Sequence, residues 1–403
     1  MFSRRTNWKL AKNAYTEALE RFRASGRELL DLTASNPTEV GLQYESERLL
    51  KALSSSRALE YEPIAKGLLP ARKVVAEYYA EKRIEVSPEQ IFLTVSTSEA
   101  YTYAFRLLCD PGDEVLVPQP SYPLFEFLAN LQDVKLLPYE LVYDHGWQID
   151  FHSLECAITS QTRAVLVVHP NNPTGSYVKR EEKRLLDRIC EKHELAVIAD
   201  EVFLDYEISE EETTPPSRQK QASRVGHPAL SFAGSRGALT FTLSGLSKIS
   251  GLPQMKAAWV VLSGPESVAQ KASARLEVIA DTYLSPNAPV QWALPEMLAT
   301  RVRVQQQLAA RVKDNLAVLD EELSRQNMCQ RLEVEGGWYA TIRVPVTRSD
   351  EELAIELLEQ ESVLVQPGHF YDFASEGYLV VSLITSREVF KVGVRKLMEF
   401  AAK

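Results

Sequence analysis

From about Glu47 onward the chain alternates between two hydrophobic patterns. Apolar residues recur at helical spacing over roughly 70–83, 98–108, 121–131, 179–193 and 265–282. Between these stretches lie short runs that are apolar almost throughout, at 91–95, 115–117, 164–168, 196–199, 238–243 and 257–262. Strands apolar on both faces must be covered on both sides. Their alternation with helices predicts an α/β fold, a large domain with a mostly parallel sheet and helices on both faces. Upstream, Trp8, Ala11, Tyr15, Ala18, Leu19 and Phe22 recur at helical spacing before Gly26, which predicts an amphipathic arm packed on a neighbouring surface. A strand-like piece at 29–32 then leads into a loop, Ser35-Asn36-Pro37-Thr38. After about Val302 a long helical pattern precedes strand-like stretches at 332–344 and 377–384, which predict a second, smaller α+β unit. The expected division is an N-terminal arm and small-domain segment (1–46), a large domain (47–301) and a small C-terminal domain (302–403). The stretch 209–237 breaks the rhythm. It is acidic, then rich in Pro, Ser, Gln and Arg, and predicts an exposed excursion with a mobile centre.

Composition narrows the function classes. A chain of 403 residues, 45% hydrophobic, suffices for one large and one smaller core. A net charge of -10 with no long basic block argues against nucleic acid and anionic membrane surfaces as partners. Cys109, Cys156, Cys190 and Cys329 show no CxxC spacing, so reduced, half-buried thiols and no metal site are expected. No apolar run reaches bilayer-spanning length, and Ser3-Arg4-Arg5-Thr6 has no apolar stretch behind it. These features predict a cytoplasmic protein.

The polar landmarks fall on one edge of the sheet. Ser96, Thr97 and Ser98 follow the 91–95 strand and open a helix; His169 to Gly175 follow 164–168. Asp200 and Glu201 follow 196–199, and Ser244 and Lys248 follow 238–243. Ligands of open α/β sheets bind beyond the carboxyl ends of the strands, which is where all four groups lie. Individually each has a plain structural reading: a solvated lysine, an N-cap, a turn asparagine, a core tyrosine. Together they are chemically compatible. Free N–H groups at a helix start seat a phosphate. A buried aspartate needs a positive partner, such as a protonated ring nitrogen. The Asn172 amide can donate to a phenolic oxygen, Tyr122 can stack on a flat ring, and a desolvated lysine attacks an aldehyde. A phosphate, a pyridinium, a ring oxygen and an aldehyde describe pyridoxal 5'-phosphate. No GxGxxG follows a strand, and neither HExxH nor GxSxG occurs.

The order and wording of these motifs resemble the fold type I pyridoxal-phosphate enzymes, specifically the class I/II aminotransferases that include aspartate aminotransferase. The matching segments are Tyr61-Glu62-Pro63 to Gly67, Ser96 to Ala100, Pro111-Gly112-Asp113-Glu114-Val115 with Pro120 to Tyr122, Asn171 to Gly175, Asp200-Glu201-Val202, and Ser247-Lys248. They follow the family order over nearly the whole chain. The resemblance implies that Lys248 carries the internal aldimine and shuttles the α-proton, while Asp200 keeps the pyridine nitrogen protonated. It further implies that Asn172 bonds the ring hydroxyl, that Tyr122 stacks on the ring, and that Ser96, Thr97 and Ser98 hold the phosphate. Tyr61 would reach the phosphate of a neighbouring subunit, so a homodimer is expected.

The chain departs from the family pattern in three places. Phe203 stands where the family usually has tyrosine, removing a second donor to the ring oxygen. Lys256 stands where arginine is frequent, supplying charge without a bidentate fork. The arginine that grips the substrate carboxylate aligns with Val380 in Gly377 to Ser382. Asn36, Arg343 and Arg387 are the candidate replacements. The expected activity is transfer of an amino group from an amino acid to a 2-oxo acid; a carbon–sulfur or β-elimination lyase and a non-enzymatic cofactor-binding regulator are the alternatives.

Overall fold

A computed structural model describes residues 1–8, 10–208 and 231–401. The expected excursion at 209–237 therefore lies outside the described residues except for 231–237. The large sheet runs in the spatial order Ile91–Thr94, Ala258–Ser263, Thr240–Gly245, Ala196–Asp200, Thr162–Val168, Glu114–Gln119, Lys135–Tyr143 and Trp147–Ile149. The five strands from Thr240–Gly245 to Lys135–Tyr143 are mutually parallel, and Ala258–Ser263 and Trp147–Ile149 run against them. Ile91–Thr94 is antiparallel to Ala258–Ser263, so it points the same way as the parallel set. Its carboxyl end thus lies on the same edge as theirs, while Ala258–Ser263 begins on that edge.

Alternation along the strands fills two cores. Ala164, Leu166, Val168 and Ile198 face one way, toward Phe105, Leu276 and Ala280 of the helices Thr97–Leu108 and Glu266–Tyr283. Val165, Val167 and Val197 face the other way, toward Leu186 and Ile189 of Arg180–Lys192. Beside them, Ile91, Leu93 and Trp259 meet Val75 and Tyr79 of Leu69–Glu81. Each fully buried aliphatic side chain contributes about 1.5–3 kcal/mol of transfer free energy.

Two strands of the large sheet were not anticipated, Lys135–Tyr143 and Trp147–Ile149. They lie at the sheet margin: Lys135–Tyr143 is half-exposed and carries Pro138, and Trp147–Ile149 is only three residues long, so neither shows the apolar run of the central strands. The N-terminal helix is shorter than its apolar spacing implies, spanning Ala14–Ala24. Asn13 accepts from the Thr16 N–H and starts the helix there; Trp8 lies upstream, edge-on to Phe127.

The chain ends build a separate core of their own. A four-stranded antiparallel sheet has the order Gln330–Arg331, Tyr339–Arg343, Tyr378–Ser382, Gln366–Pro367. Leu30–Asp31 pairs in parallel with Val363–Leu364, and Tyr15, Ala18 and Phe22 join the cluster containing Leu353, Leu357, Val380 and Leu397.

Candidate active site

Lys248 lies on a single turn of helix, Leu246–Ile249, directly beyond the Thr240–Gly245 strand. The turn is held from both sides. Leu246 N–H donates to the Ala257 carbonyl at 2.9 Å, and the Tyr206 hydroxyl donates to the Lys248 carbonyl at 2.6 Å. The ammonium group lies 4.6 Å from the centre of the Trp338 ring, 5.3 Å from that of Phe203, and 3.5 Å from the Ser35 carbonyl. Burial lowers the lysine pKa from 10.5 to about 8, with the Asp200 charge opposing.

Asp200 ends its strand with its carboxylate buried. Tyr101 donates its hydroxyl to Oδ2 at 2.8 Å, and the Val202 N–H donates to Oδ1 at 3.1 Å. Burial raises the Asp200 pKa, and the two donors and Lys248 oppose it. The next residue, Glu201, is fully buried and accepts from Phe232 N–H and the Ser231 hydroxyl; burial pushes its carboxyl up to about 7.

The phosphate seat is the start of the Thr97–Leu108 helix. Ser96 accepts from Glu99 N–H at 3.2 Å, while the Glu99 carboxylate accepts from Val95 N–H at 2.8 Å. That exchange uses one acceptor site of the Ser96 hydroxyl and leaves its O–H to donate. The Thr97 and Ser98 N–H groups, in the first turn, have no carbonyl one turn back to bond. Glu99 was not anticipated, and its partly buried carboxyl is shifted upward by desolvation. Lys256 is exposed, in left-handed backbone at φ 52°, two residues before the strand whose Ala258 pairs with Gly245. It therefore lies on the Lys248 edge.

Two buried polar groups without partners bear on the fit of pyridoxal phosphate. Asn172 is buried and its amide oxygen has no partner, nor has the buried Ser121 hydroxyl beside Tyr122. Asn172 oxygen and nitrogen are interchangeable in placement, so either end can face a ring oxygen. Tyr122 feels the Asp200 charge and is edge-on to Phe125 at 6.1 Å. With the buried Asp200 carboxylate and the free helix start, these residues fit the cofactor. Phe203 supplies an aromatic face and no donor, as the sequence implied.

Other expected residues lie elsewhere. Tyr61 is exposed, beside a cavity of about 150 Å³ lined also by Leu284, Asn287 and Trp292. Arg343 is exposed and donates to the Tyr378 hydroxyl at 3.4 Å; Arg387 is exposed, 4.0 Å from Asp314. Neither is engaged with the lysine. Asn36 adjoins Ser35 and uses its amide oxygen to accept from the Thr38 N–H and hydroxyl.

Besides Glu99, the residues not foreseen are Tyr101, Trp338, Tyr206 and Tyr339. Tyr339 shares a hydrogen bond with Ser35 and lies within electrostatic reach of Tyr122. Only Tyr101 had a legible signal. It is four residues beyond Thr97, and so on the same helix face as the phosphate seat.

Residues 27–397 match the family model described as aminotransferase class I and II. The chain is 25% identical over 393 residues to the glutamate-pyruvate aminotransferase AlaA of Haemophilus influenzae, covering 96% of this chain and 93% of the relative. It is 27% identical over 380 residues to the alanine aminotransferase of Mycobacterium tuberculosis, covering 92% and 85%. Among solved structures, an aminotransferase from Escherichia coli matches with a TM-score of 0.85 at 23% identity, covering 100% of this chain and 98% of that one. The alanine aminotransferase of Pyrococcus furiosus matches with a TM-score of 0.86 at 21% identity, covering 100% of both chains.

Proposed function

The chain belongs to the class I and II aminotransferases, and from that premise we propose that Lys248, Asp200 and Asn172 carry its pyridoxal-phosphate-dependent amino transfer. The observation that supports this most is the Lys248 amine, desolvated against Trp338 and Phe203 at the strand edge that also holds Asp200. The cofactor, when bound, supplies an electron-withdrawing ring that spreads negative charge from the substrate α-carbon. With a pKa of about 8, Lys248 Nζ has an accessible neutral form near neutral pH, able to take a proton from that carbon and return it. Asp200 holds a proton at the ring nitrogen. Asn172 meets the ring oxygen, Tyr122 covers the ring face, and Ser96, Thr97, Ser98 and Lys256 meet the phosphate.

The substrates are an amino acid and a 2-oxo acid. The relatives named for glutamate-pyruvate and alanine transfer put alanine with 2-oxoglutarate first among pairs to test. Of the three candidate carboxylate anchors, Asn36 is retained as the contact, because its neighbour Ser35 lies beside the lysine.

The working unit is a homodimer. Leu59, Tyr61, Tyr283 and Leu284 are exposed around the Tyr61 cavity and would be covered by a second copy. The four cysteines are free, which suits a cytoplasmic enzyme, and among the described residues no helix is long and apolar enough to cross a membrane. We also propose the division 1–46, 47–301 and 302–403 as arm, large and small domains.

The test mixes purified protein with alanine and 2-oxoglutarate while pyruvate, glutamate and the cofactor's absorbance are followed. Transfer should produce pyruvate and glutamate in equal amounts. Ammonia released without any need for the oxo acid would replace this reading with a lyase.

A further inference from the structure

The helix that opens at the phosphate seat also reaches the other end of the site. Thr97 and Tyr101 are one turn apart, about 6 Å along the axis, and share a face. The Tyr101 hydroxyl donates to Asp200 Oδ2 at 2.8 Å, and both residues are buried. Its ring is fixed by Phe125 at 5.3 Å and Phe105 at 6.1 Å, and Phe125 also touches Tyr122. One rigid helix therefore spans the distance between the phosphate donors and the carboxylate for the ring nitrogen.

We propose that Tyr101 is a positioning residue for Asp200, orienting its carboxylate and keeping it the weaker base so that the proton stays on the cofactor's ring nitrogen. This rests on the pyridoxal-phosphate reading above.

The chemistry follows from the donors each oxygen has. A carboxylate has about four acceptor directions. Tyr101 fills one on Oδ2 and the Val202 N–H one on Oδ1, which fixes the plane and leaves acceptor directions for a ring N–H. Burial alone makes Asp200 more basic. The other ionisable groups that act on it are Lys248, Glu201 and Tyr122. Lys248 opposes protonation of Asp200 but would be taken up by the cofactor's aldehyde. Glu201 carries the same sign, and Tyr122 acts on Asp200 through charge without a hydrogen bond, so neither supplies the missing donor. Tyr101 is the side-chain donor that remains once the cofactor is in place. Without it, Asp200 becomes the stronger base and draws the ring proton to itself.

The test is a cycle of four holoenzymes: the natural chain, Tyr101→Phe, Asp200→Asn and the double variant. Two quantities are read: the pyridoxal phosphate dissociation constant, and the ¹⁵N signal of cofactor labelled at the ring nitrogen. Phenylalanine keeps the contacts to Phe105 and Phe125. Tyr101→Phe should raise the dissociation constant roughly ten-fold and move the ¹⁵N signal toward its unprotonated position. Turnover should fall with the Michaelis constant unchanged. Adding Tyr101→Phe to Asp200→Asn should change nothing further. As a variant that conserves volume, 3-fluorotyrosine at 101 is a stronger donor and should move the nitrogen signal the opposite way.

An equal effect of Tyr101→Phe in both backgrounds would make the tyrosine a packing residue and overturn the proposal. So would an unmoved nitrogen signal where Asp200→Asn moves it. If Asp200→Asn itself leaves both readouts unchanged, the Asp200 assignment has failed, and Tyr101 falls with it.

Discussion

The Lys248 amine lies 4.6 Å from the centre of the Trp338 ring, although the two residues belong to different sheets. Lys248 follows the Thr240–Gly245 strand of the large sheet, and Trp338 precedes Tyr339–Arg343 of the small one. The reactive amine thus sits where the two cores meet. An aromatic face attracts an ammonium by about 0.5–2 kcal/mol, which would raise the pKa. Loss of water works the other way and lowers the pKa to about 8 against the Asp200 charge.

That shift has a sign that stability can test. A lysine whose folded pKa lies below its unfolded value of 10.5 destabilises the fold when protonated. The penalty is full below about pH 8 and gone above about 10.5. Cofactor-free Lys248→Met should therefore be more stable than the natural apoprotein at pH 7, by about 1–3 kcal/mol. The gain should fade between pH 8 and 10.5, as read by denaturant melts across pH. A gain independent of pH would mean that methionine merely packs better. Borohydride reduction of the holoenzyme should label Lys248 in the natural chain, and peptide mapping that found the label on Lys256 would overturn the assignment.

Asp200→Asn keeps the volume of the side chain but cannot hold a proton on the ring nitrogen. Turnover is expected to fall by roughly two or more orders of magnitude, with cofactor affinity falling less. Near-normal turnover would remove the electron-sink role from Asp200.

The reactive edge was legible because its residues follow strands that announce themselves. Val165, Val167, Val197 and their neighbours are apolar on both faces, so the strand ends, and hence Asp200 and Lys248, could be placed from the chain alone. The edge strands were not legible, since Lys135–Tyr143 is half-exposed and alternates. Trp338 and Tyr339 were invisible as site residues for a different reason. Trp338 reaches the lysine, and Tyr339 reaches Phe203 and Ser35 beside it, through the docking of one core on another, which no local pattern encodes. Tyr101 lies between these cases: its helical spacing from Thr97 was readable, its bond to Asp200 was not.

The proposed dimer predicts complementation. A Lys248→Ala chain lacks the amine, and a Tyr61→Phe chain lacks the hydroxyl offered to its neighbour. Mixed and re-associated, they should form hybrid dimers with one intact site, recovering a fraction of activity that neither parent shows. Full activity in a protein that sediments as a monomer would end the shared-site reading.

Val380 stands where the resemblance places the arginine that grips the substrate carboxylate. The structure buries this valine completely, between Thr341 and Gln366 in the register of the small sheet. Paired antiparallel residues face the same way, so all three present one uncharged wall on the face that also carries Tyr339. An arginine here would have to displace packed neighbours and bury its own charge. Val380→Arg should therefore lower stability by about 1–3 kcal/mol without improving alanine turnover. The proposed anchor, Asn36, is an uncharged donor. Asn36 already uses its amide oxygen on Thr38, which leaves its NH₂ to offer. A hydrogen bond to a charged group contributes about 1.5–3 kcal/mol, so Asn36→Ala should raise the Michaelis constant roughly ten-fold or more. Arg343→Ala and Arg387→Ala should leave it unchanged, because both guanidinium groups are exposed and engaged with Tyr378 and Asp314. Steady-state kinetics on the four variants decides the matter. A large gain in turnover from Val380→Arg would reveal a latent arginine site, and an unchanged constant in Asn36→Ala would move the anchor to the Tyr339 wall.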